Sequence, residues 1–121
     1  MKIEVSNGEI VDRATILEIK SERLREPESN AMSDERDSLL RMMRQFDMSP
    51  ADPSYGKLLE INKAIWEAVG EQQKILKYGS HEDQEFAVLS ARVVRLNMQR
   101  YEIKKAIDEL TGSAMREFKQ E

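Results

Sequence analysis

Two long apolar stripes at helical spacing, with only a few residues between them, fill the second half of this 121-residue chain. The first runs Tyr55, Leu58, Asn62, Ile65, Val69, Gln72, Leu76. The second runs Phe86, Leu89, Val93, Leu96, Arg100, Ile103, Ile107, Leu110. Alternating steps of three and four put each set on one face of an α-helix. Asp52 reads as the N-cap of the first helix, with Pro53 as its opening residue. Tyr78-Gly79 reads as its stop, Gly79 supplying a left-handed cap. Ser80 then caps the second helix with Asp83 as the reciprocal acid, and Thr111-Gly112 closes it. At 1.5 Å per residue, 25 residues give a rod of roughly 38 Å. Two such rods joined by a tight turn must reverse direction, so the expected centre of the fold is a long antiparallel helical hairpin.

Two shorter helices precede it. Ser6-Asn7-Gly8-Glu9 forms a capping box, with Val5 and Ile10 placed as a hydrophobic staple. The spacing predicts a helix from about Gly8 to Arg25, with a seam of Ile10, Ala14, Leu17, Ser21 and Leu24 that Pro27 ends. Ile16 and Ile19 lie off that seam, and with Trp66 they are candidates for an interface between subunits. The next helix is capped by Ser29 and Asn30, or by Ser33, and ends near Met48. Met32, Leu39, Met43 and Phe46 share its apolar face, which the methionines make adaptable. Residues 1–7 read as an extended arm. Residues 113–121 dock through Phe118 or fray. The whole is expected to be one all-α, bundle-like domain over residues 1–121, with the first two helices packed along the hairpin.

The charge pattern narrows the function classes. Nineteen basic and 23 acidic side chains leave a net charge of -4, with no cationic surplus to neutralise a nucleic-acid backbone. With no cysteine, thiol catalysis, disulfides and thiolate metal sites are excluded. His81 is the one histidine, beside acids that the helix cap already explains, so no metal or other cofactor is expected. Glu18 and Glu22, like Glu67 and Glu71, stand four apart as magnesium ligands might, but Glu is abundant and no phosphate-binding glycine loop accompanies them. The sequence shows neither a membrane span nor a signal peptide, and a cytoplasmic protein is expected.

Asn62, Gln72 and Arg100 occupy positions where the periodicity asks for Leu or Ile. Buried polar groups must find partners. One reading is structural: the amides fix register, and Arg100 pairs with Glu60, Glu67 or Glu71. The other gathers Asn62, Asn97, Arg100, Tyr101 and Lys104 round one cleft for an anionic ligand, which Lys20 of the first helix would close. Asp12 is placed as a first-turn acid or as the partner of a base in the last helix. Whether the chain is an enzyme stays open. The leading expectation is a binding or assembly protein, a homodimer or one with a protein partner, acting through protein contacts or a small anionic ligand. The alternative is a small metal-independent helical enzyme for an anionic metabolite.

The opening run Met1-Lys2-Ile3-Glu4-Val5-Ser6-Asn7-Gly8-Glu9-Ile10-Val11-Asp12, with Thr15-Ile16-Leu17-Glu18-Ile19-Lys20, resembles the start of an uncharacterised family of short bacterial proteins. The resemblance continues through Asn62, Ile65-Trp66 and Glu67, and returns at Arg95, Asn97, Arg100 and Lys104. It implies a helical fold of this size and brings no established activity.

Overall fold

The computed structural model describes residues 5–79 and 83–112. Within them lie four helices: α1 (Asn7–Arg23), α2 (Glu28–Arg44), α3 (Pro53–Tyr78) and α4 (Asp83–Thr111). No strand occurs among the described residues. The chain is all-α, and α3 and α4 pack on one another as the long hairpin. The expected cap at Ser80, residues 1–4 and the tail from Ser113 lie outside the described residues.

Local chemistry sets the helix ends. The Ser6 hydroxyl accepts the Glu9 amide at 3.1 Å, and the Asp52 carboxylate accepts the Ser54 amide at 2.9 Å, each satisfying one orphan donor of a first turn. Pro53 opens α3, and Gly79 closes it at φ 65, a conformation that costs glycine nothing. One expectation fails here. Helix α2 begins at Glu28 behind Pro27 with no side-chain cap, so neither Ser29, Asn30 nor Ser33 caps it; Pro27 has already set the entry angle. Val5, expected to staple Ile10, is 47% exposed, while Ile10 is buried in the core.

Helix α1 is the centre of the base rather than a strut along one side. From Gly8 to Ile19 it buries residues round most of its circumference, because α2, α3 and α4 all lie against it. The core joins Ile10, Val11 and Ala14 of α1 to Met43 of α2, Met48 of the segment that follows it, Tyr55 and Leu58 of α3, and Ile107 of α4. Each large apolar side chain removed from water here contributes about 1.5–3 kcal/mol. The backbone of α2 lies against α1 and not along the hairpin; it reaches α3 only through side chains such as Arg36, which bonds Tyr55.

The hairpin outruns its cover. Arg23, the last residue of α1, sits over the Trp66 ring at 5.7 Å. Beyond that level, residues 69–78 of α3 and 84–96 of α4 include no fully buried residue among those described. Leu76, expected on the seam, is 71% exposed. It continues the stripe of Tyr55, Leu58 and Asn62, but lies nearly three turns past Trp66, where α1 no longer covers it.

Candidate functional site

The first turns of α1 bring four residues to α4. Asn7 donates to the Thr111 hydroxyl at 2.9 Å, the Gly8 amide to Asp108 at 2.7 Å, and Glu9 pairs with Lys104 at 2.6 Å. Asp12 accepts one edge of the Arg100 guanidinium through both oxygens, Nε to Oδ1 at 2.9 Å and Nη2 to Oδ2 at 2.5 Å. The α4 partners step by three or four residues, so α1 runs antiparallel to the C-terminal half of α4. Gly8 makes this approach possible: a Cβ there would lie 2.3 Å from the Lys104 carbonyl oxygen, a distance no side chain tolerates. Glu9 therefore faces Lys104, and of the expected capping box the Ser6 half is formed.

Asp12 is 1% exposed and its carboxylate is well supplied. Besides Arg100, Asn62 Nδ2 donates to Oδ1 at 2.9 Å and to Thr15 Oγ1 at 2.9 Å. Thr15 in turn donates to the Asp12 carbonyl at 2.7 Å. A buried carboxylate stays ionised only with such compensation. Asn62 thus finds its partners inside one chain. Arg100 takes Asp12 rather than Glu60, Glu67 or Glu71, because α1 occupies the face of α4 that Arg100 presents.

A second cluster lies on the other side of α1. Glu18 Oε1 accepts Arg36 Nη2 at 2.6 Å and the Tyr55 hydroxyl at 2.7 Å. Burial, and then the bond to Glu18, push the Tyr55 hydroxyl up to about 12. The bonds to Tyr55 and Glu18 outweigh burial and raise Arg36 further still. Glu18 is accordingly engaged with Arg36 and Tyr55, Glu71 pairs with Lys74 at 3.3 Å, and no group of acids suited to a metal occurs among the described residues. His81 lies outside them.

The anticipated ligand face is divided between two sides of the hairpin. Arg100 and Lys104 turn to the carboxylates of α1. Asn97 is exposed and touches Arg100 only at 3.5 Å. Tyr101 lines a different groove, about 890 Å³, with Gly56, Ile61, Met98 and Ile103. Lys20, Asn62 and Arg100 do meet, in a cleft of about 380 Å³ between α1, α3 and α4 whose walls are Ile16, Ile19, Ile65, Trp66 and Val69. Of the three candidate interface residues, Ile19 is 1% exposed, Ile16 half-buried and Trp66 39% exposed.

The comparisons bear on this geometry. The model of a family of unknown function, DUF6165, matches residues 1–120. The chain belongs to that family. No curated protein and no solved structure matches it. Membership in DUF6165 accords with the resemblance to an uncharacterised family and carries no activity to these residues. Among the described residues no helix is long and apolar enough to cross a membrane.

One signal in the sequence went unread. Ala87, Ala91, Val94, Met98 and Tyr101 recur at steps of four and three, a second heptad stripe roughly a third of a turn from the α3-facing seam, at 100° per residue. Its first four members are exposed and no described helix covers them.

Proposed function

We propose that this member of DUF6165 is a cytoplasmic assembly protein that pairs with a second copy of itself through the outer face of α4. The observation that carries the reading is the heptad stripe Ala87, Ala91, Val94, Met98, Tyr101, whose first four members are exposed. A helix with two apolar stripes at different bearings packs against two neighbours. The seam side has α3 and, toward its C-terminal end, α1; no described helix covers Ala87, Ala91, Val94 or Met98. The stripe is also self-complementary. Its small residues, Ala87 and Ala91, lie on one side of Val94, and its large ones, Met98 and Tyr101, on the other. An antiparallel copy centred near Val94 sets large side chains over small ones, the arrangement a two-fold interface requires.

Sedimentation equilibrium at micromolar concentration tests this. The expected mass is twice 14.0 kDa, and Val94→Glu, which sets two carboxylates near the axis, should return it to a single chain with its helix content intact. A wild-type mass of 14.0 kDa overturns the reading. An enzyme reading would need Arg100 and Lys104 to converge on an open polar pocket; here Asp12 and Glu9 hold them.

A further inference from the structure

The cleft at the end of α1 has a chemistry of its own, independent of the outer face of α4. Its walls are Ile16, Ile19, Ile65, Val69 and Trp66, and its charged lining residues are Lys20 and Arg100. A smaller polar hollow of about 260 Å³ adjoins it and shares Ile16, Lys20 and Arg100. Across both, the cations are nearly all balanced. Arg13 pairs with Glu35 at 2.6 Å, and Arg100 pairs with Asp12. Glu9 is held by Lys104. Lys20 is left over: among the described residues no carboxylate pairs with it. A half-buried ammonium beside apolar walls gains from an anion far more than one in bulk water does.

A second observation points the same way. Gly70 stands in the middle of α3, where glycine costs roughly 1 kcal/mol against alanine. A Cβ there would meet nothing within 4 Å, so no neighbouring group demands the glycine. Gly70 lines the cleft, and any side chain there would project over open space at its edge.

We infer that this cleft is a binding site for a small monoanion with an apolar body, such as a medium-chain or aryl carboxylate, its carboxylate on Lys20 and its body against Trp66, Ile65 and Val69. A volume of about 380 Å³ falls in the range of ordinary ligand sites. One unbalanced cation suits one negative charge. The apolar walls give a small hydrated anion such as phosphate no gain for the water it would lose.

Trp66 makes the test direct, since it is the one tryptophan of the chain and forms a wall of the site. Octanoate, its neutral amide octanamide and inorganic phosphate are titrated against the full chain, reading Trp66 emission. Octanoate is expected to give a saturable shift, with octanamide weaker by about tenfold, as for loss of a hydrogen bond to a charged group. Phosphate gives none. Lys20→Met is expected to weaken octanoate about tenfold and to bind octanoate and octanamide alike, with Lys57→Met, on the opposite groove, unchanged. Gly70→Leu sets a side chain over the open edge of the cleft, blocks entry and abolishes the shift while circular dichroism stays helical. The inference is overturned if octanoate gives no saturable shift, if Lys20→Met binds it as the wild type does, if a folded Gly70→Leu still binds, or if phosphate competes at equal affinity. Should Gly70→Leu fail to fold, Lys20→Met decides alone.

Discussion

The base and the outer hairpin are built from the same two helices, α3 and α4, yet they are held by different means. In the base, α1 inserts a charged face against the pair, and Asp12, Thr15, Asn62 and Arg100 close into one buried cluster. Further out, no other described helix packs on the two, and Gln72 donates to the Ser90 hydroxyl across them at 2.8 Å. Buried polar clusters specify position, since a misplaced partner leaves a charge stranded. A half-covered apolar seam specifies little beyond proximity. Where α1 ends, the hairpin passes from a fixed scaffold to a surface that no described helix covers.

The largest effect should come from stranding a charge in the base. Asp12→Ala leaves Arg100, Asn62 and Thr15 without their acceptor, and urea denaturation should show a loss of about 3 kcal/mol. A loss under 1 kcal/mol would mean that the cluster is no lock and would erase the contrast. Next comes Tyr55. Its hydroxyl titrates near 12 when folded against about 10 when free. The folded state therefore favours the neutral phenol. That contribution is whole below pH 10 and is lost as pH rises from 10 to 12, by about 2 kcal/mol. Stability followed across that window should fall more steeply in the wild type than in Tyr55→Phe. The smallest effect should come from the outer hairpin, where Leu76→Gln changes a side chain already in water and should move stability by less than about 0.5 kcal/mol. A larger loss would show that this stretch is covered in solution.

The split between legible and illegible follows the same boundary. Periodicity identified both hairpin helices, and it marked Asn62, Gln72 and Arg100 as side chains in need of partners. Asp12 stood as the partner of some base in the last helix, as found, but periodicity did not say which base, and for Arg100 it pointed to Glu60, Glu67 or Glu71. Asp12 and Arg100 are 88 residues apart, and nothing local to Arg100 distinguishes Asp12 from Glu60 or Glu67. Leu76 was misplaced because a stripe records which face is apolar, not how far the covering helix extends. Glu18 looked like half of a carboxylate pair with Glu22; Tyr55 and Arg36 claim it from two other helices. Gly8 gave no warning, because a close approach of backbones leaves no pattern in the residues that make it. The outer stripe of α4 was legible, and its alanines disguised it.

The Gly8 amide bonds Asp108, a hundred residues further along the chain. On a ribosome making roughly 5–20 residues per second, α1 emerges some 5–20 seconds before the helix that seats it has been made. Through that interval the side of α1 that faces α4 lacks its partner, and the Asp12 carboxylate on that side lacks the Arg100 guanidinium. The base can therefore close only once synthesis is nearly done, at the contact between its earliest and latest turns.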